Sequence, residues 1–379
     1  MHVLNVNHTL DPVNGGGTAE RTIKMSRFLA RAGIACTVLT GRPGFDAAAT
    51  PDEPNLRIVT VPLLSRRFFI PRISTRELDA LVSEADIVHL MGHWTLLNAL
   101  VYRAARRLGK PYVVCPAGAL PVFGRSKILK RLYNLAVGTN IVRNATAKIA
   151  ITNAERTHFN AYGIASKDVV VIPNGVDVEE YSEIDTAGFR SKHGLQQQPF
   201  ILFMGRLNPI KGPDLLLAAF TRLKDEFPHW HLVFAGPDSG MLAALKQLTH
   251  ETGLDQRVHF IGYVSGREKA AAFAAAALLA IPSRQEAMSI VVLEAGILRT
   301  PVLVTDQCGM NVVAGFGGEV VPATSEGLQR GLQKMLRNPD ELRQRGARLA
   351  EFVNSNYRWT NVVRAFIELY DRLVPKQTA

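Results

Sequence analysis

The chain has 379 residues, enough for two domains of ordinary size, and a content of 47% hydrophobic and 20% charged residues excludes global disorder. The 44 Lys and Arg outnumber the 33 Asp and Glu by 11, which favours phosphorylated substrates, anionic lipid or nucleic acid as partners. Scattered cysteines exclude a disulfide framework, and no apolar run approaches the ~18 residues of a membrane span. No pattern of a nucleic-acid-binding module occurs, so we expect no nucleic acid partner.

The chain begins with a short strand-like run, from Met1 to Asn7, that lacks the charged start and long apolar stretch of a signal peptide. Cys36, Cys115 and Cys308 are odd in number and lack the spacing of metal ligands, which is typical of a reducing compartment. We therefore expect a cytoplasmic protein with no metal site.

Strand and helix patterns alternate through the first half of the chain. The predicted strands are residues 3–7, 36–40, 57–61, 86–90, 112–115, 148–151 and 169–172. Helical patterns lie between several of them, at 19–32, 96–108 and 153–162. This alternation predicts a parallel sheet with helices on its faces.

The same alternation restarts in the second half. The predicted strands are residues 200–204, 231–235, 258–261, 278–281, 302–304 and 319–321, with helices at 214–226, 267–276 and 288–299. Two successive doubly wound halves predict an α/β protein with two Rossmann-like domains.

A turn-rich segment from Ile172 to Asp177 marks the domain boundary. We expect an N-terminal domain at 1–178 and a C-terminal domain at 196–358. The amphipathic pattern at 359–374 predicts a last helix, within residues 359–379, that packs back on the first domain.

A glycine-rich loop, Gly15-Gly16-Gly17, follows the first predicted strand and opens the first helix. Glycines let a backbone approach a ligand closely and adopt unusual torsions. The loop is not a GxGxxG fingerprint, no acidic residue ends the second strand at Thr40, and the Lys of a Walker A loop is absent. A flexible turn is the alternative interpretation.

A second loop follows the strand that ends at Met204 and carries Arg206 and Lys211, with Pro213 at the start of the next helix. Two cations beside a helix N-terminus suit one diphosphate, whose charge they would neutralise without a metal. The alternative is an Arg and a Lys on an ordinary surface loop.

Glu286 and Glu294 lie eight positions apart after the strand that ends at 281. At ~1.5 Å per helical residue, the separation is about 12 Å along the axis, roughly the span from the ribose to the sugar ring of a nucleotide diphosphate-sugar. We expect free amides at Ser289, Ile290 and Val291 to face the diphosphate between them. The alternative is a chance pair of helix glutamates.

The chain resembles glycosyltransferase family 4, whose members are retaining enzymes of GT-B architecture with two Rossmann-like domains that face a central cleft. The resemblance covers nearly the whole chain. It rests on the order and spacing of the glycine-rich loop, the run Ile172–Asp177, the run Gly205–Gly212 and the glutamate pair.

The resemblance implies a donor-binding C-terminal domain and an acceptor-side N-terminal domain. It implies that Arg206 and Lys211 hold the donor diphosphate, Glu294 binds the ribose, and Glu286 contacts the transferred sugar or its phosphate. It also places Gly16 over the donor and Gly17 on the acceptor side. Main-chain groups around Tyr263 and Val264 are expected to pair with the edge of the nucleotide base.

One departure from the family concerns a histidine that many relatives carry near the transferred sugar. Ala117 stands there, in the run Cys115–Ala119. His93, beside Trp94, could fill part of the role of the family histidine or bind the acceptor. The alternative is that His93 is a core residue. For His89 a core role is favoured.

We therefore expect a metal-independent hexosyltransferase with a nucleotide diphosphate-sugar donor; a UDP-sugar is inferred from family frequency. The acceptor is expected to be a glycan or a lipid-linked glycan, as in cell-surface polysaccharide or lipopolysaccharide biosynthesis. The alternatives are a nucleotide-sugar 2-epimerase on the same scaffold and a degenerate sugar-nucleotide-binding protein.

Two basic, aromatic segments, residues 65–72 and 123–133, raise a further hypothesis. Cations that include Arg66, Arg67, Lys127 and Lys130 alternate there with Phe, Ile and Leu, which suits the inner face of the plasma membrane. The alternative is a solvated surface with ordinary core anchors.

Overall fold

The structure is a computed structural model that describes residues 1–41, 53–65, 69–122 and 126–374, without the side chains of residues 12–14. The chain divides into two compact units. Unit 1 comprises Met1–Gly175 together with the segment that starts at Trp359, and unit 2 comprises Val176–Arg358. Each unit is built around its own parallel β-sheet.

Among the described residues of unit 1, seven strands form one parallel sheet in the order β3-β2-β1-β6-β7-β8-β9. The strands are β1 His2–Val6, β2 Ala35–Gly41, β3 Leu56–Val61, β6 Ile87–Met91, β7 Tyr112–Cys115, β8 Ala147–Ala150 and β9 Val169–Val171. A short antiparallel pair, β4 Leu63–Ser65 and β5 Ile70–Pro71, stands apart from the sheet and was not predicted. The central strands are buried along their length because helices cover a parallel sheet on both faces.

The helices of unit 1 before residue 175 are α1 Pro12–Arg31, α2 Thr75–Glu84, α3 Leu96–Arg107, α4 Lys127–Tyr133 and α5 Thr139–Arg143. A π-helical turn, Asn134–Gly138, joins α4 to α5. The predicted helix at 153–162 is a 3₁₀ segment, Ala154–Tyr162. α1 starts seven residues before its predicted start at 19 because the glycine-rich loop is itself helical, apart from a kink at Gly16.

The sheet of unit 2, all of whose residues are described, has six parallel strands in the order β12-β11-β10-β13-β14-β15. The strands are β10 Phe200–Met204, β11 His231–Ala235, β12 Val258–Gly262, β13 Leu278–Ile281, β14 Val302–Thr305 and β15 Glu319–Val321. The helices are α6 Thr186–Lys192, α7 Pro213–Arg222, α8 Leu242–Glu251, α9 Gly266–Ala275, α10 Ile290–Ile297, α11 Ser325–Leu336 and α12 Pro339–Asn356. The prediction of two doubly wound, parallel-sheet Rossmann-like domains is confirmed.

The last helix, α13 Trp359–Leu373, belongs to unit 1 and packs against α1. Trp359 stacks on Phe28 of α1, with ring centroids 6.2 Å apart. A hydrogen bond of 2.6 Å joins Tyr370 Oη to Nδ1 of His89 in β6, so His89 is a core histidine. No helix among the described residues is long and apolar enough to cross a membrane.

Phe366 is one of the fully buried side chains of α13; its ring lies beside His89, and the Arg21 guanidinium is 5.3 Å from the ring centroid. We predict that Phe366→Ala lowers the free energy of unfolding of unit 1 by about 3–5 kcal/mol, because a buried ring is replaced by a cavity. Urea denaturation followed by circular dichroism measures the loss. Glu368→Ala, at an exposed position of the same helix, is the control and should change it by at most about 0.5 kcal/mol. Equal losses in the two variants would contradict this assignment of the core.

Candidate functional site

The candidate donor residues lie at the carboxyl edge of the sheet of unit 2. Strands β10 and β13 are neighbours although they are not consecutive, so the strand order reverses between them. In open parallel sheets, ligands bind outside the carboxyl ends of the strands at such a reversal. The loops after β10, β12 and β13 all leave the sheet at this edge.

The loop after β10 is tied to the loop after β13 through Gly212. This residue precedes α7 with φ of 68°, and a Cβ atom there would lie 2.2 Å from the carbonyl oxygen of Pro282. The Arg284 amide also donates to the Ile210 carbonyl at 2.8 Å. These contacts bring the Lys211 side chain to Glu286.

Lys211 and Glu286 form an ion pair, with Nζ 2.8 Å from Oε1. Ser283 Oγ also donates to this carboxylate oxygen, and the Glu286 amide donates to the Gln307 carbonyl at 2.8 Å. Glu286 is therefore fixed at both its backbone and its side chain. Arg206 lies in the same loop as Lys211 and is exposed, and within the described chain its guanidinium has no hydrogen bond or ion pair.

The N-terminus of α10 differs from its predicted form in two ways. Met288 and Ser289 lie outside the helix, which begins at Ile290, so the helical rise behind the 12 Å estimate does not apply between Glu286 and Ser289. The Ser289 amide is not free, because it donates to the Cys308 carbonyl at 3.1 Å. The amides of Ile290 and Val291, in the first helical turn, have no intrahelical acceptor.

Glu294 is the buried carboxylate of α10, with 3% of its surface exposed. Its Oε1 accepts from Lys269 Nζ at 2.5 Å and from Tyr181 Oη at 2.9 Å. Its Oε2 has no hydrogen-bond partner among the described residues, as is also true of Ser289 Oγ. A buried acceptor without a donor is rare in folded proteins, so Oε2 is suited to receive a ligand hydroxyl.

Lys269 in α9 and Tyr181 were not predicted as site residues. Neither belongs to a motif, and Tyr181 lies 113 positions from Glu294 in the chain. Only the fold places them beside this carboxylate. The Lys269 ammonium holds the Glu294 carboxylate in place through a charge-assisted hydrogen bond.

The segment predicted to contact the nucleotide base lies between β12 and α9. β12 ends at Gly262, whose φ of 74° turns the chain. Tyr263 is exposed and Val264 is buried. Their amides and carbonyls take no part in any backbone hydrogen bond found in the described chain, which leaves them available to a base edge.

In unit 1, the glycine-rich loop forms the start of α1. Gly16 has φ of 53° and ψ of −142°, and a Cβ atom there would meet nothing within 4 Å. Glycine is therefore needed at position 16 for its backbone conformation rather than for space. Gly17, the next residue, is exposed.

His93 is buried and engaged by its neighbours rather than open to an acceptor. Its Nε2 lies 2.9 Å from Asn134 Oδ1 and 3.3 Å from Tyr162 Oη. Burial lowers the pKa of His93 to about 4, so the imidazole is neutral near pH 7. These contacts favour the core interpretation of His93 over a role in binding acceptor.

Ala117 lies in the loop after β7 in a left-handed conformation, with φ of 50°. The next residue, Gly118, has φ of 86°, and its amide donates to the Glu155 carboxylate at 2.5 Å. The Trp94 indole donates to the Ala119 carbonyl at 2.5 Å. Sequence reasoning missed Glu155, because a lone glutamate after a strand carries no motif.

No group of three or more His, Cys, Asp or Glu side chains placed to hold a metal ion occurs in the described ranges. The charged groups named so far for this candidate site are the cations Arg206, Lys211 and Lys269 and the carboxylates Glu286 and Glu294. This set can bind an anion with hydroxyl groups on either side of it.

Two family models together match most of the chain. The model "Glycosyltransferase Family 4" matches residues 15–180, and "Glycosyl transferases group 1" matches residues 185–351. The chain is 30% identical over 305 residues to a D-inositol 3-phosphate glycosyltransferase of Frankia alni, covering 75% of this chain and 74% of that protein. A D-inositol 3-phosphate glycosyltransferase of Gordonia bronchialis is also 30% identical, over 61% of this chain and only 53% of its own length.

Solved structures share the fold at lower identity. The Anabaena protein Alr3699/HepE, in complex with UDP and glucose, has a TM-score of 0.79 at 20% identity, covering 98% of this chain and 100% of that one. Sucrose-phosphate synthase from Thermosynechococcus elongatus has a TM-score of 0.78 at 21% identity, covering 98% and 99%. WaaG, a glycosyltransferase involved in lipopolysaccharide biosynthesis, has a TM-score of 0.70 at 21% identity, with the same coverage. The chain belongs to glycosyltransferase family 4 and has the GT-B fold.

Proposed function

We propose that the enzyme is a retaining hexosyltransferase that takes its sugar from a nucleotide diphosphate-sugar. The observation that carries this proposal is the buried Oε2 of Glu294, an acceptor without a partner in the described chain, one helical turn beyond the free amides of α10. A ribose hydroxyl satisfies such an acceptor, and a diphosphate satisfies amides at a helix N-terminus.

The donor diphosphate is proposed to lie between the N-terminus of α10 and the cations Arg206 and Lys211. Lys211 is paired with Glu286 at 2.8 Å, so in our proposal it is shared between this carboxylate and the diphosphate. Glu286 then faces the hexose hydroxyls, which donate to its carboxylate. We propose UDP as the nucleotide diphosphate, because one protein of similar fold, Anabaena Alr3699/HepE, was solved with UDP and glucose and with UDP-glucose.

We propose that transfer takes place on one face of the sugar. The bond from the anomeric carbon to the diphosphate oxygen breaks, and the acceptor oxygen bonds to that carbon on the same side. The acceptor proton passes to the leaving diphosphate oxygen, whose charge Arg206 and Lys211 stabilise without a metal. A protein base is not needed in this scheme, which agrees with the methyl side chain at Ala117 and with a buried, neutral His93.

The acceptor is proposed to be a glycan or lipid-linked glycan of cell-surface polysaccharide or lipopolysaccharide biosynthesis, met at an anionic membrane surface. Support comes from α4 and the π-helical turn after it, which leave Ile128, Leu129, Leu132 and Leu135 exposed, two of them at 75% and 84%. The basic side chains Lys127, Lys130 and Arg131 alternate with them. Exposed leucines beside cations suit the interface of an anionic leaflet. Arg66 and Arg67 lie outside the described residues.

We predict that Arg206→Ala and Lys211→Ala each lower turnover by roughly 100-fold, because each removes a preorganised charge from the leaving group. Release of UDP from UDP-glucose and UDP-galactose, with a panel of glycan acceptors, measures turnover. Arg222→Ala is the matched control, since Arg222 is a half-exposed residue of α7 that pairs with Glu326. Near-normal rates in the Arg206 and Lys211 variants would contradict the assignment.

We also predict that replacing Arg66, Arg67, Lys127 and Lys130 by Gln weakens binding to phosphatidylglycerol vesicles by roughly 100-fold or more, at about 1 kcal/mol per basic residue near the surface. Vesicle co-sedimentation measures the affinity, with phosphatidylcholine vesicles for comparison. A second fourfold variant controls for net charge by replacing four exposed basic residues of unit 2 with Gln: Lys246, Arg330, Lys334 and Arg348. An unchanged affinity for anionic vesicles after replacement of Arg66, Arg67, Lys127 and Lys130 would argue against membrane association through these residues.

A further inference from the structure

Glu155 is a buried carboxylate in unit 1, outside the residues assigned to the donor. It lies in the 3₁₀ segment that follows β8, and 1% of its surface is exposed. β8 pairs with β7, so this segment begins at the same edge of the sheet as the loop after β7. An ionised carboxylate only accepts hydrogen bonds, and the buried Glu155 accepts them from two backbone amides.

The loop after β7, residues 116–120, has an unusual backbone conformation and one internal backbone hydrogen bond. Ala117 and Gly118 are successive left-handed residues, with φ of 50° and 86°. The left-handed region is unfavourable for a residue with a Cβ atom, so Ala117 stays there only if its surroundings fix it. Within the loop, the Ala119 amide donates to the Pro116 carbonyl at 3.1 Å.

Three side chains hold successive residues of this loop: Glu155 and Tyr162 belong to the same 3₁₀ segment, and Trp94 follows β6. Glu155 Oε1 accepts from the Gly118 amide at 2.5 Å, while its Oε2 accepts from the Ile151 amide at 2.7 Å. On the following residues, the Trp94 indole donates to the Ala119 carbonyl at 2.5 Å and Tyr162 Oη donates to the Leu120 carbonyl at 3.1 Å. Glu155 therefore joins the loop to the end of β8 through one carboxylate.

The loop occupies the edge of the sheet where a ligand is expected in unit 1. The strand order reverses between β1 and β6, and β7 is the next strand after β6. The loops after β1, β6 and β7 leave the sheet at its carboxyl edge, where open parallel sheets bind ligands. Ala117, Gly118 and Ala119 are each partly exposed there, whereas Pro116 and Leu120 are buried.

We propose that Glu155 is a positioning residue for sugar transfer: it fixes the Pro116–Leu120 loop in its left-handed conformation and so shapes the acceptor side of the site. The expected effect of Glu155 on the rate of sugar transfer rests on the proposed function. Glu155 does not touch the reacting atoms, and it acts through the Gly118 amide. Burial raises the pKa of Glu155, whereas the two amides and the nearby Arg21 lower it.

The test is Glu155→Gln, which keeps the shape of the side chain but replaces one acceptor oxygen by an amide donor that faces a backbone N–H. We expect hydrogen exchange in residues 116–120 to become at least 10-fold faster. We expect kcat for UDP release from UDP-glucose to fall by roughly 10- to 100-fold, with an unchanged Kd for UDP. Glu84→Gln, a half-exposed glutamate of α2 in the same unit, is the control.

A second change distinguishes positioning from a general role in stability. Ala117→Gly removes the penalty of the left-handed conformation, so adding it to Glu155→Gln should restore part of the lost kcat. If Glu155→Gln does not fold, Trp94→Phe tests the same loop, since it removes the donor to the Ala119 carbonyl. That variant should show the same faster exchange and lower kcat.

Unchanged exchange of residues 116–120, or an unchanged kcat, in a folded Glu155→Gln protein would overturn the inference, as would a double variant no faster than the single one. Failure of the proposed function gives a different result. In that case the unsubstituted protein releases no UDP from UDP-glucose with any acceptor, while the exchange measurement still decides whether Glu155 holds the loop.

Discussion

The proposed donor site depends on the close approach of two loops at one edge of the second sheet. Glycine at position 212 permits this approach, because a Cβ atom there would lie 2.2 Å from the Pro282 carbonyl oxygen. Arg284 strengthens the junction by donating to both carboxylate oxygens of Asp214, at 2.9 and 2.6 Å. With the loops held together, Lys211 reaches Glu286, four residues before the helix that carries Glu294. The positive and negative groups of the site are thus fixed by backbone packing.

Each unit contains a buried glutamate, and the hydrogen bonding of the two carboxylates differs. In unit 2, Glu294 has one oxygen held by Lys269 and Tyr181 and one without a partner in the described chain. A half-satisfied carboxylate is costly in a folded protein unless a ligand completes it. In unit 1, both oxygens of Glu155 are occupied by backbone amides, and the carboxylate serves to fix a loop. The first arrangement is suited to binding and the second to positioning.

Much of the fold could be predicted from the sequence because buried parallel strands form continuous apolar runs, and each predicted strand overlaps an observed one. The short pair β4 and β5 was missed because its three- and two-residue strands give no periodic signal. α10 is shorter than predicted because Ser289 is extended before it and Arg299, with φ of 61°, follows its end. For the site, the motifs predicted Glu286 and Glu294 as candidates. Sequence spacing could not predict the residues that contact them, nor the hydrogen bond from the Ser289 amide to the Cys308 carbonyl, because these contacts join distant segments of the chain.

The most direct test of the central claim, that unit 2 binds a nucleotide diphosphate through its cations and Glu294, is calorimetric titration of UDP, GDP and ADP into the purified protein. Arg206→Ala and Glu294→Gln serve as variants and Arg222→Ala as the control. We expect selective micromolar binding of UDP that the control leaves unchanged. Both variants should weaken it by at least 10-fold, since each of the two removes a group proposed to contact the ligand. Binding of none of the three nucleotides, or binding of UDP by both variants as tight as that of the unsubstituted protein, would contradict the assignment of the donor site.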